Sequence, residues 1–188
     1  MQLITDLDYK KKDYTDNPLT KAEYDNCTFT GCNFENANLS GIVFSQCTFI
    51  SCNMGNAQIG GSAFKECEFK ECKLLGLNFS GCDPFLFSVS FDHCPMDLAS
   101  FYKMKLKGTK FIHCDLSEAD FTEADLTGAC FDHCNLENAV FDRTVLEKAD
   151  LRSAYNFAIC PESNRIKKAR FSRDNIEGLL HKYKIDIE

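Results

Sequence analysis

Residues 119–131 read Ala119-Asp120-Phe121-Thr122-Glu123-Ala124-Asp125-Leu126-Thr127-Gly128-Ala129-Cys130-Phe131. A small residue, a polar one, a large apolar one and two more polar positions make a unit of five. A helix repeats its face every 3.6 residues and a flat strand every 2, so neither accounts for the spacing. The same beat runs through most of the chain. The large position is filled at Tyr24, Phe29, Phe34, Leu39, Phe44, Phe49, Met54, Ile59, Phe64, Phe69, Leu74 and Phe79. After a skip of two residues it resumes at Leu86 and continues through Phe91, Met96, Phe101, Leu106, Phe111 and Leu116 to Leu151. That is 26 hits on one period, and a fixed period over such a length denotes a repeat architecture.

Two residues before each large position sits a small one, such as Cys27, Cys47, Ala119, Ala124 or Cys134. In extended chain, residues two apart point to the same side, so each pair points inward. A longer period of 20 overlies the first: Cys27, Cys47 and Cys67; Cys32, Cys52 and Cys72; Cys94, Cys114 and Cys134; His93, His113 and His133. Four fives make a coil with four short sides. Successive coils stack at the strand spacing of about 4.8 Å, and each buries its inner face against its neighbours.

The units Ala119-Asp120-Phe121, Ala124-Asp125-Leu126, Ala149-Asp150-Leu151 and Ala37-Asn38-Leu39 resemble the pentapeptide repeat family. The resemblance covers about residues 22–151 plus a tail. It implies an all-β solenoid, a right-handed four-sided β-helix. The expected organisation is an N-terminal cap or partial coil over 1–20, the β-helix over 21–157 with a register skip near 80–86, and a C-terminal cap over 158–188. Ile176, Leu179, Leu180 and Tyr183 fall at helical spacing, which predicts a short α-helix with Ser172 as its N-cap. Ile185 and Ile187 alternate with acidic residues, a short strand signal. Such a tail resembles the dimerising tail of quinolone-resistance members. Phe171, Ile176, Leu179, Leu180, Tyr183, Ile185 and Ile187 are therefore the expected homodimer interface, with an intramolecular cap as the alternative.

Chemistry-bearing motifs are sparse. Nine of the 12 Cys take the small inward position, where Cys acts as a small hydrophobe. The opening Met1–Asp6 is too polar for a secretory leader, and free thiols in a cytoplasmic protein are expected. The three laddered His precede inward Cys and so face water; they cannot share a metal with those thiols. Stacked alone they offer at most a weak zinc site. Residues 55–62 imitate a phosphate loop but lack its Lys. No catalytic residue, cofactor or metal is expected, and Cys130, at an outward position, is the expected reactive thiol.

Charge gives the remaining clue. The net charge is −7. Residues 111–151 hold ten acidic and two basic residues, a local net of −8, whereas the chain from 152 onward carries +3. Asp115, Asp120, Asp125 and Asp150 occupy the unit's second position, where local hydrogen bonds explain them. Glu118, Glu123, Asp132, Glu137, Asp142 and Glu147 have no such explanation and form the expected acidic interaction surface. An acidic rod disfavours direct binding of nucleic acid. Nothing in the sequence favours a membrane. The resemblance implies a DNA-mimicking binder of DNA gyrase or topoisomerase IV. A generic scaffold for an unrelated protein is the alternative, and plain solubility accounts for the same charges.

Overall fold

A computed structural model describes residues 1–185. The regular strands are β1 (Leu3–Thr5), β2 (Asp8–Lys10), β3 (Glu23–Asp25), β4 (Thr28–Thr30), β5 (Val43–Ser45) and β6 (Thr48–Ile50), followed by β7 (Ala63–Lys65), β8 (Cys67–Lys70), β9 (Val89–Asp92), β10 (Lys110–Ile112) and β11 (Cys130–Asp132). They are parallel and fall into two sheets, β1-β3-β5-β7 and β2-β4-β6-β8-β9-β10-β11. Register follows the 20-residue period: Phe29 pairs with Phe49 and Phe111 with Phe131. The other two sides close through isolated parallel bridges, among them Asn33↔Asn53 and Ser100↔Asp120. The protein is thus the right-handed quadrilateral β-helix that the repeat implied.

Why five residues make a side is visible in the backbone. The four corner columns are built from residues with positive φ, such as Ser51, Glu71 and His93 in one and Lys103, Glu123 and Arg143 in another. Each corner turns the chain, leaving three extended positions per side with the middle one pointing inward. The Asx turn supports it: Asp115, Asp120, Asp125 and Asp150 each accept from the backbone N–H two residues on. That is the local bonding expected for these four aspartates.

The axis is filled with rings. One column stacks Phe29, Phe49, Phe69, Phe91, Phe111 and Phe131 at centroid spacings of 4.9 to 5.3 Å. A second stacks Phe79, Phe101, Phe121 and Phe141, and meets the first edge-on. At the N-terminal end Tyr9 and Tyr14, half-buried, stack on Phe29 and Phe34 and cover the rings beneath.

The register skip departs from the expectation. After it, partners are 22 apart, as in Phe69↔Phe91. Leu86, expected in the core, is 62% exposed. It has φ 59° and takes a corner conformation, which turns its side chain outward. Phe87 fills the inward place against Phe64 and Phe79. Phe85 is exposed on an Asx turn set by Asp83.

The tail departs further. Pairing at an offset of 20 continues through Val145↔Arg165 and Asp150↔Arg170. Phe157 and Ile159 supply core there out of the five-residue beat. The predicted α-helix is instead two 3-10 turns, Ile176–Leu179 and His181–Tyr183. Ser172 is no cap; its N–H donates to Asn175 Oδ1, and Asn175 Nδ2 donates to the carbonyls of Leu151 and Ala154. Gly178 lies against Phe157, and its carbonyl accepts from the Ile159 N–H. A side chain at 178 would collide with the Phe157 ring and backbone. Docking to the last coil, rather than helical propensity, sets this conformation, because a helix so short has no stability of its own. No helix among the described residues is long and apolar enough to cross a membrane.

Candidate interaction surface

The six acidic residues singled out from the sequence do not form one surface. Three of them are paired with basic residues. Glu123 sits in a corner column between Lys103 at 3.5 Å and Arg143 at 2.9 Å. Asp142 meets the same guanidinium at 2.8 Å, and Glu147 meets Arg165 at 2.6 Å. Asp132 accepts from the Ser153 hydroxyl at 2.7 Å and contacts His133 Nδ1 at 2.9 Å. The Arg143 guanidinium holds the Glu123 carboxyl below its ordinary range; the Ser153 hydroxyl does the same for Asp132. Exposed pairs like these contribute only about 0–1 kcal/mol each to stability.

Their consequence is electrostatic. The local −8 of residues 111–151 is met by lysines and arginines of the flanking coils. Residues 91–170, about four coils, contain 13 acidic and 11 basic residues, a net of −2. Four coils span roughly 19 Å at the strand spacing, and duplex DNA would carry about eleven charges over that length. The rod is not uniformly DNA-like.

Several carboxylates without an ion pair share one side, although Asp120, on the next side, has none either. Glu118, at a corner with φ 58°, stacks beside Glu137, whose carbonyl accepts the Glu118 N–H at 2.8 Å. Asp97 and Asp115 lie on the same side, in the columns Asp97/Ser117/Glu137 and Pro95/Asp115/Asn135. None of these four carboxylates forms an ion pair among the described residues. Exposed apolar side chains sit among them: Leu98 directly above Glu118 in the corner column, and Tyr155 beyond Asn135. Sequence reasoning missed Leu98 and Tyr155, although both depart from the polar outward rule and could have been found as exceptions to it. Acidic rim plus apolar anchors is the anatomy of a protein-contact surface.

This side runs into the tail. A groove of about 680 Å³ between tail and last coil is lined by Glu137, Tyr155, Leu180, Lys184 and Ile185, among others. The tail's inner residues are not free for a partner: Phe171 and Leu179 pack partly on the core, and Leu180 is half-buried. Through these three residues the segment caps the last coil, as in the intramolecular alternative. Ile176, Tyr183 and Ile185 remain exposed, at 49%, 52% and 56%. Ile187 lies outside the described residues. Tyr183 donates to Glu162 at 2.6 Å, and Lys182 pairs with the same carboxylate.

The thiols are core material. Cys32, Cys52, Cys72, Cys94, Cys114 and Cys134 form one buried column, and all 12 Cys are free. Most of these thiols donate to nearby carbonyls, as Cys134 does to Phe111 O at 3.3 Å. Burial pushes the neighbouring-column Cys47 up to about 12. Cys130, expected to be the reactive thiol, is half-buried, and burial together with Asp150 and Asp132 raises its pKa. Those carboxylates disfavour the thiolate, although Cys130 and Cys160 are the two thiols that are not fully buried.

Two family profiles match: one described as pentapeptide repeats, over residues 99–138 and 124–155, and one described as a pentapeptide repeat region, over 22–84. Comparison with curated protein sequences finds no match. Among solved structures, a trypsin-treated form of QnrB1, described as a plasmid-mediated fluoroquinolone resistance protein, aligns at TM-score 0.63 and 17% identity, covering 99% of this chain and 100% of that one. A second trypsin-treated form of QnrB1 aligns at TM-score 0.65 and 15% identity, covering 100% and 92%. At such identities the likeness speaks for the fold.

Proposed function

The chain belongs to the pentapeptide repeat family, and from that premise we propose that it is a non-enzymatic rod that binds and modulates DNA gyrase or topoisomerase IV. The fold itself supports a repeat-protein interaction scaffold. The observation that carries the proposal is the one-sided surface of Asp97, Asp115, Glu118 and Glu137 around Leu98 and Tyr155. A solid core of stacked rings keeps that surface rigid, so little ordering cost attends binding. A carboxylate side steers toward a basic groove such as one that holds DNA. The family resemblance carried by the repeat units, not the likeness of fold, is what suggests a topoisomerase as that groove's owner.

In this reading two copies meet through the exposed tail residues Ile176, Tyr183 and Ile185, which places two acidic sides near the centre of a longer rod. The test is a gyrase supercoiling assay, with and without a fluoroquinolone, titrating the full chain. A dose-dependent change in supercoiling or in drug-trapped cleavage supports the proposal; none at micromolar protein refutes it. One observation favours a second reading. Charge cancellation across coils leaves residues 91–170 at only −2, which suits a generic scaffold for an unrelated protein as well.

A further inference from the structure

β2 is the outermost strand of the seven-stranded sheet, at the N-terminal end of the rod, and among the described residues only β4 pairs with it. The Leu7 carbonyl and the Lys11 N–H are used toward β4. Backbone groups alternate between the two edges of a strand, so the N–H and C=O of Asp8 and Lys10 point off the end of the coil. Around this edge the chain reads Asp6-Leu7-Asp8-Tyr9-Lys10-Lys11-Lys12. Tyr9 points inward, half-buried, and stacks on Phe29 at 4.7 Å and 7°. Asp8 and Lys10 stand exposed on the side wall, 3.8 Å apart.

We propose that β2 pairs antiparallel with β2 of a second copy, joining two rods by their N-terminal ends about a two-fold axis at Tyr9. The order of charges carries the proposal. Antiparallel pairing centred on Tyr9 sets Asp8 opposite Lys10 of the second copy, and Lys10 opposite its Asp8. At the corner beyond, Asp6 comes against Lys11 and Lys12 of the second copy. Over this stretch the acidic residues all precede Tyr9 and the basic ones all follow it, so the facing charges are of opposite sign. β1, the other strand at this end, reads Leu3-Ile4-Thr5 and offers no charge to select a register.

Backbone geometry agrees with the charges. The free groups of Asp8 and Lys10 are the ones that a hydrogen-bonded antiparallel pair exchanges. Tyr9 then meets Tyr9 of the second copy at a non-hydrogen-bonded place, where Cα atoms approach to about 4.5 Å. That is close to the spacing at which Tyr9 already lies on Phe29, so the ring column continues across the junction. The same axis lays Ile4 of each copy over Tyr14 of the other, and both are half-buried. Lys12 and Asn17 stand where the next coil has Cys32 and Ala37, and both are exposed. The end face is therefore no indiscriminate apolar surface, and register falls to the β2 edge. Lysines on an edge strand can also serve to block pairing; a block needs only one sign of charge, whereas this edge carries a self-matching order of both.

The contact is isologous and independent of the tail. Full-length chain, unlabelled and heavy-nitrogen-labelled in equal parts, would be cross-linked with a carbodiimide and digested. Peptides joining Asp8 to Lys10 with one partner of each isotope are expected; Asp8–Lys10 links only within one isotope, or none, would overturn the proposal. Sedimentation then reads the charge order. Asp8→Lys and Lys10→Asp, each alone, set like charges across both contacts and should weaken the end-to-end association about tenfold or more. Mixing the two variants should restore it, as should both substitutions in one chain. Circular dichroism checks that each variant keeps the coil. Association equal in all these chains, as a tail contact would give, or no recovery on mixing, would overturn the pairing.

Discussion

Replacing Phe111 with Ala should destabilise the coil by about 4–5 kcal/mol, near the top of the range for a buried aromatic. Phe111 has 0% exposure. It is stacked between Phe91 at 5.3 Å and Phe131 at 5.0 Å, and lies edge-on to Phe101 at 5.8 Å and Phe121 at 6.0 Å. The loss therefore combines removal of the ring from a dry site, a cavity, and four aromatic contacts of about 0.5–1.5 kcal/mol each beyond area burial. Relaxation is restricted because the rungs above and below are fixed by strand pairing to Phe91 and Phe131. The exposed Glu137→Ala, by contrast, should stay within about 0.5 kcal/mol. Urea titration followed by far-ultraviolet dichroism reads both. A long stack can unfold in parts, so midpoint and slope are to be compared, and a lower slope in the Phe111 variant would mark loss of cooperativity. Equal midpoint shifts for the two variants would refute the inward–outward assignment on which everything else rests.

Cys47→Ala should leave fold and oligomeric state unchanged, since Ala fills equivalent positions at Ala37 and Ala57; intact mass under non-reducing conditions should show free thiols, and disulfides would contradict this. Deleting residues 172–188 should abolish the tail-to-tail contact in light scattering, leaving only association through the N-terminal ends, and expose Phe157 and Ile159; a truncated chain that associates as the full chain does would place the contact elsewhere. The tail should also loosen in acid. Hydrogen bonds from Lys182 first, then Tyr183, hold Glu162 at about 2, below its ordinary 4.5. A depressed carboxylate stabilises the folded form above pH 4.5 and loses that contribution as pH falls toward 2. Limited proteolysis of the tail should accelerate across that window and do so less in Glu162→Gln; an identical profile in the variant would remove Glu162 as the latch.

The solenoid was legible because its signal is redundant: each of Phe91, Phe111 and Phe131 repeats one choice, so a single exception does not hide the period. Exceptions are where the reading slipped. Leu86 kept the beat of large residues, yet two inserted residues moved the corner onto it, and Phe87, off the beat, packs against the core, partly buried. Period alone cannot say where inserted residues are absorbed. The tail failed for a different reason. Ile176, Leu179, Leu180 and Tyr183 carry helical spacing, but Gly178 against Phe157 and Asn175 bonded to the last coil dictate 3-10 turns, and tertiary docking overrides a weak local preference. The acidic surface was half legible. Counting charge along the chain grouped Glu123, Asp142 and Glu147 with Glu118 and Glu137; stacking of coils gives Glu123 its partners Lys103 and Arg143 and gives Glu147 its partner Arg165, while Asp142 meets its chain neighbour Arg143. Folding the sequence into coils before counting would have separated them.

The claim that one side of the rod does the binding is tested most directly by neutralising two pairs of carboxylates and comparing gyrase supercoiling with a fluoroquinolone present. Glu118→Gln with Glu137→Gln removes unpaired charge from the proposed contact side; Glu123→Gln with Asp142→Asn removes equal charge that arginine and lysine already offset. The account predicts that the first double variant loses the effect of the wild-type chain on the enzyme while the second keeps it. Equal loss in both, or full activity in the first, would contradict it.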